Sequence, residues 1–152
     1  MKCLIVCFTL LVGALAYSWE PHELKCIEEL GTDKSIVEGF GDPLEKPTPI
    51  DNEAYNEFTE CSWKKQGLVT DAGEVNWDAI DNVILEAVKE DAEKNKSDSE
   101  EQVAALLAGG LIKGLIDNCR NEHGNSNAQT FVKVQNCIGT QLRTLDSSEE
   151  KH

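Results

Sequence analysis

Apolar residues recur at three- and four-residue steps in one segment after another, and no stretch of useful length alternates with the period of two expected of a half-buried strand. Leu24, Ile27 and Leu30 mark a short helix over residues 20–30, with Cys26 beside them and Gly31 placed to end it. Ile36, Val37 and Phe40 mark a second, over 33–40. The following GFGDPLEKPTPI, with its glycines and three prolines, cannot continue as helix. Asp51 is expected to cap a third helix, in which Ala54, Tyr55, Phe58 and Cys61 share the buried face. Gly67 supplies the left-handed residue that stops it, and Leu68 folds back on the last turn. Asn76 caps a fourth helix with Ile80, Val83, Ile84, Ala87 and Val88 as its stripe. The charged run KEDAEKNKSDSEE is then a solvated helix end and a loop.

Ser97-Asp98-Ser99-Glu100 has capping-box form and opens the fifth helix. VAALLAGGLIKGLIDNC is apolar almost all round, so this helix is expected to run through the middle of the domain. Gly109, Gly110 and Gly114 each cost a helix interior about 1 kcal/mol against alanine. Two reasons stand open for keeping them: close approach of a neighbouring backbone, or room for a bound guest. Ser126 with Gln129 starts a sixth helix carrying Phe131, Val134, Ile138 and Leu142, with Cys137 beside that stripe. The pattern as a whole predicts an all-α fold, a compact bundle of about six helices in a single domain.

The beginning of the chain stands apart. Lys2 precedes a nearly uninterrupted apolar run from Leu4 to Ala16, too short to span a bilayer and followed by small residues suited to cleavage. Residues 1–16 are therefore expected to be a secretory signal peptide and 17–152 the mature domain, with cleavage after Ser18 as second choice. Export changes the meaning of the cysteines. Cys3 and Cys7 leave with the signal, and Cys26, Cys61, Cys119 and Cys137 remain, an even number in an oxidising compartment. Counting alone leaves three connectivities open. The short loop between Cys119 and Cys137 makes them natural partners, which leaves Cys26 for Cys61. Asn95-Lys96-Ser97 is a glycosylation sequon in a charged surface stretch.

Charge narrows the partners. The formal net charge of −14 becomes one unit more negative when Lys2 is removed, and such a surface repels nucleic-acid phosphates and anionic membranes. The chemistry of an enzyme is also missing from the motifs: there is no GxSxG or HExxH, no CxxC pair, and His22, His123 and His152 are scattered. No cofactor and no metal are expected.

Two segments then carry a resemblance. CSWKKQGLVTDAGEVN resembles the third-helix segment of insect odorant-binding proteins, and NAQTFVKVQNC resembles their last helix. The order of leader, four cysteines, acidic charge and helices extends the resemblance over the mature chain. The family usually has six cysteines; the two further positions hold Glu57 and Ala128 here, which matches the subgroup called Minus-C. The resemblance implies the pairs Cys26–Cys61 and Cys119–Cys137. One departure is the long interval between Cys61 and Cys119, which the charged insert near 90–101 accounts for.

What the resemblance implies is a secreted carrier that holds small hydrophobic molecules in a closed apolar pocket, acting as a monomer or weak homodimer. The candidate wall is Phe58 and Trp63 on the third helix, Val83, Ile84 and Val88 on the fourth, Leu107 and Leu111 on the fifth, and Phe131, Val134 and Ile138 on the sixth. The alternative on the same fold is a salivary-type scavenger of host biogenic amines or lipid mediators.

Overall fold

The computed structural model describes residues 17–43, 45–94 and 99–149, apart from some side chains within helices, that of Val88 among them. The segment expected to be a leader, with Cys3 and Cys7, lies outside the described residues, as does the sequon asparagine Asn95. Among the described residues the regular elements are α1 Pro21–Leu30, α2 Lys34–Phe40, α3 Glu53–Lys65, α4 Trp77–Lys94, α5 Ser99–Asp117, a 3₁₀ turn Asn118–Asn121, and α6 Asn127–Glu149. The fold is all-α with six helices and two disulfides, as the periodicity and the cysteine count predict.

Local chemistry sets the helix ends. Gly31 stops α1 in the left-handed region at φ 63°. The third helix begins one residue later than expected: the Asn52 side chain, not Asp51, accepts the Tyr55 N–H at 2.9 Å. Either residue type can cap, so adjacent Asp51 and Asn52 compete and packing decides. At the other end a full Schellman motif closes α3. The Leu68 N–H reaches the Trp63 carbonyl at 2.9 Å and the Gly67 N–H the Lys64 carbonyl at 3.2 Å, with Gly67 at φ 75°.

A small hairpin follows, Thr70 N–H donating to Glu74 O at 2.8 Å and Gly73 N–H to Thr70 O at 2.9 Å, with an isolated bridge between Val69 and Val75. Asn76 ends it. Its Oδ1 accepts the Ala79 N–H at 3.2 Å while its Nδ2 donates to the Gly67 carbonyl at 3.2 Å, so one side chain caps α4 and ties it to the end of α3. Ser126 Oγ accepts the Gln129 N–H at 3.1 Å at the start of α6. Ser97 and Asp98 of the expected capping box before α5 lie outside the described residues.

Two apolar clusters form, with α3 and α6 contributing to both. The first gathers Cys26, Val37, Tyr55, Phe58 and Val132 from α1, α2, α3 and α6, with Tyr17 and Trp19 packed on it. The second gathers Trp63, Leu68, Ile80, Ile116, Phe131 and Val134, joining the end of α3 and the hairpin to α4, α5 and α6. Neighbours Phe131 and Val132 point about 100° apart around the helix axis and so feed different clusters. The central helix is therefore α6, whose Phe131, Val132 and Val134 are almost wholly buried.

The expectation that α5 runs through the middle is corrected. Its inner face holds Gly109, Ile112 and Ile116, but Leu107 is 67% exposed and Leu111 66% exposed, and Gly110 and Gly114 face outward with them. A helix apolar on every side gives no sign of which side its neighbours cover.

The two disulfides brace these clusters. Cys26–Cys61 joins α1 to α3. Cys119–Cys137 joins the 3₁₀ turn, just past the end of α5, to α6. On loop-closure entropy each stabilises the fold by about 3–4 kcal/mol. The proline-rich segment before α3 is fastened to α6 and to α3 itself by side-chain amides. Asn136 Oδ1 accepts the Thr48 N–H at 2.9 Å and its Nδ2 donates to the Thr48 carbonyl at 2.8 Å. Gln129 and Asn56 both donate to the Ile50 carbonyl, at 3.2 and 2.9 Å.

Candidate functional site

Phe131, Val134 and Ile138 stand three and four residues apart on α6 and share one face. Trp63 comes to that face from the last turn of α3 and stacks on Phe131, ring centroids 5.6 Å apart and planes 26° from parallel. The Schellman turn places it, because the same hydrogen bond that ends α3 at the Trp63 carbonyl folds Leu68 into the same cluster. From α4 come Ile80 and Ile84, and from α5 Ile112 and Ile116. The result is a largely buried apolar cluster built from four helices.

The expected wall residues separate on this basis. Trp63, Ile84, Phe131, Val134 and Ile138 come together in one cluster. Phe58 belongs to the other, edge-on to Trp19 at 6.1 Å and tilted against Tyr55 at 6.2 Å. Val83, 53% exposed, Leu107 and Leu111 stand on the outside and do not face the cluster. The Val88 side chain lies outside the described residues. The residues that take the places of the outward ones are Ile112 and Ile116, four apart on the inner face of α5. In a helix that is apolar all round, that spacing is no more evident than that of Leu107 and Leu111.

A polar group borders the cluster. Asp81, one turn after the start of α4, is buried. Its Oδ2 lies 3.7 Å from Lys113 Nζ and 3.6 Å from Arg120 Nη2, and its buried Oδ1 has no hydrogen-bond partner among the described residues. Arg120 also donates from Nε to Asp117 at 2.8 Å and lies over the Trp77 ring, 5.0 Å from its centroid. Trp77 in turn packs on the apolar cluster. Asp81 and its partners come from α4, α5 and the 3₁₀ turn, which no local motif connects. Their meeting was not readable from spacing.

The first cluster is lined by tyrosines. Burial, then the hydrogen bond from its hydroxyl to Glu23 at 2.8 Å, raises the Tyr17 phenol well above its ordinary range. Burial also raises that of Tyr55, whose oxygen accepts from Gln135 Nε2 at 3.0 Å. Among the described residues no helix is long and apolar enough to cross a membrane, and no group of three or more His, Cys, Asp or Glu side chains could hold a metal ion.

No curated protein and no solved structure matches the chain. The PBP/GOBP family model, however, matches residues 11–141, and this span runs through α1 to α5 and most of α6. The chain therefore belongs to the PBP/GOBP family, a family of carriers for small hydrophobic ligands.

Proposed function

We propose that this chain is a secreted carrier that takes up a small hydrophobic molecule, of odorant or pheromone type, at the apolar cluster that includes Trp63, Ile84, Phe131, Val134 and Ile138. The observation that supports this best is the convergence of those five side chains from three helices on one cluster in a chain of a carrier family. Removing apolar ligand surface from water contributes about 25 cal/mol per Å² before the cost of association. A ligand of modest size thus reaches micromolar affinity with few polar contacts.

Residues 1–16 serve in this proposal as the export signal. The folded domain supports a boundary before Tyr17, since Tyr17 is packed on the first cluster, edge-on to Trp19 at 4.8 Å and hydrogen-bonded to Glu23. Cleavage after Ser18 removes those contacts. The four mature cysteines, with Glu57 and Ala128 where the resemblance places two more, support a Minus-C type.

The test is fluorescence of N-phenyl-1-naphthylamine on titration with the purified mature protein. Enhancement that saturates, and that straight-chain or terpenoid apolar ligands reverse, is the expected result. A probe that stays dark, with no ligand bound by calorimetry, refutes the carrier function.

A further inference from the structure

An apolar cluster has no need of a buried carboxylate, yet Asp81, next in the chain to Ile80 of this cluster, has its side chain only 9% exposed. Its two oxygens have different surroundings. Oδ2 faces Lys113 and Arg120 at 3.7 and 3.6 Å, ion-pair distances longer than a hydrogen bond. Oδ1 is buried and no donor among the described residues reaches it. A buried oxygen of this kind is costly without a donor, and such groups in folded proteins have a reason.

Charge selects the kind of donor. Asp81 and Asp117 face Lys113 and Arg120, so the charges of this corner already match one for one. An ammonium added at Oδ1 adds positive charge with no counter-charge beside the core. A neutral hydroxyl satisfies the oxygen and leaves the balance as it is. Trp77, under Arg120 and against the apolar cluster, marks where the polar corner meets the apolar surface.

The geometry points to Asp81 as the polar anchor of the ligand site, its Oδ1 accepting the hydroxyl hydrogen of an apolar alcohol whose hydrocarbon part lies on the cluster. This rests on the carrier function proposed above and names the ligand class for it.

The experiment compares n-nonanol, nonyl methyl ether and nonylamine as competitors of N-phenyl-1-naphthylamine, in the wild-type protein and in Asp81→Leu and Asp81→Asn. The ether keeps the oxygen and the chain but has no hydrogen to donate. The alcohol is expected to bind about tenfold more tightly than the ether to the wild type, the size of one hydrogen bond to a charged acceptor. That ratio is expected to fall to within about twofold in Asp81→Leu and to an intermediate value in Asp81→Asn.

Equal affinities for alcohol and ether in the wild type overturn the anchor, while leaving a carrier that binds both. So does a tenfold ratio that persists in whichever variant folds by circular dichroism. An amine that outcompetes the alcohol and loses that advantage in the variants overturns the choice of a hydroxyl. A protein that binds neither probe nor competitor overturns the carrier function and the anchor with it.

Discussion

Trp63 and Phe131 stack at 5.6 Å although one ends α3 and the other lies in the first turns of α6. The contact joins the covalently tethered end of the bundle to the helix at its centre. Truncating either ring to alanine in such a place costs about 3–5 kcal/mol, most of it from a cavity that neighbours cannot refill. Trp63→Ala and Phe131→Ala are each expected to lower stability by that amount. Because the two rings touch, the double variant should cost less than the two single costs together. Urea unfolding followed by far-ultraviolet circular dichroism measures all three, and strict additivity would show that the rings do not act as a pair.

Asn136 imitates a strand neighbour for Thr48, accepting its N–H and donating to its carbonyl. Thr48 is buried, so Asn136→Ala leaves two backbone groups without partners, at a cost of about 2–3 kcal/mol. Asn136→Asp is the sharper variant. It keeps the shape and the acceptor but turns a second oxygen toward the Thr48 carbonyl, so it is expected to be no better than alanine at neutral pH. Hydrogen exchange of the Thr48 amide reads the effect directly, and unchanged protection in Asn136→Ala would rule the strap out.

Both tyrosines of the chain are predicted to resist ionisation. The ordinary value is 10.0, and burial raises Tyr17 and Tyr55 above it in the folded state, helped at Tyr17 by the hydrogen bond to Glu23. A raised folded value favours the neutral form, so this contribution to stability is complete below about pH 10 and is lost as pH rises through the folded values. The native protein is expected to show little tyrosinate absorbance just above pH 10, where the urea-unfolded chain shows much more. Tyr17→Phe should retain its stability to higher pH than the parent. Equal tyrosinate signals from folded and unfolded protein would contradict the burial of both phenols.

These tests divide along the line between local and non-local chemistry. The ends of helices were legible, since Gly31, Gly67 with Leu68, Asn76 and Ser126 act within a few residues of themselves. Asp51 and Asn52 were separable only by packing, and the structure chose Asn52. Half of the expected ligand wall came together: four residues from the unambiguous stripes of α6 and the end of α3, and Ile84 from α4. The α5 part did not, because Leu107 and Ile112 look alike until a neighbour covers one of them. Asn136 on Thr48 and Arg120 on Asp81 join distant segments through single side chains, for which a sequence carries no period.

The glycines of α5 bring both halves of that lesson to a measurement. A Cβ built on Gly110 or Gly114 meets nothing within 4 Å, and both residues are exposed. Among the described residues no neighbour packs on that side of the helix. Alanine at each is therefore expected to raise stability by about 0.5–1 kcal/mol through helix propensity and a less flexible unfolded chain, without changing affinity for N-phenyl-1-naphthylamine. Gly109 differs, since its added carbon would lie 3.2 Å from Leu85 Cδ2, so the gain is offset by the shift Leu85 must make. Gly67→Ala also meets open space, but at φ 75° it is expected to lose about 1–2 kcal/mol from backbone strain alone. Denaturation midpoints should thus rise for Gly110 and Gly114, change little for Gly109 and fall for Gly67. Lost probe binding in Gly110→Ala or Gly114→Ala would instead mean that this face of α5 turns toward the ligand.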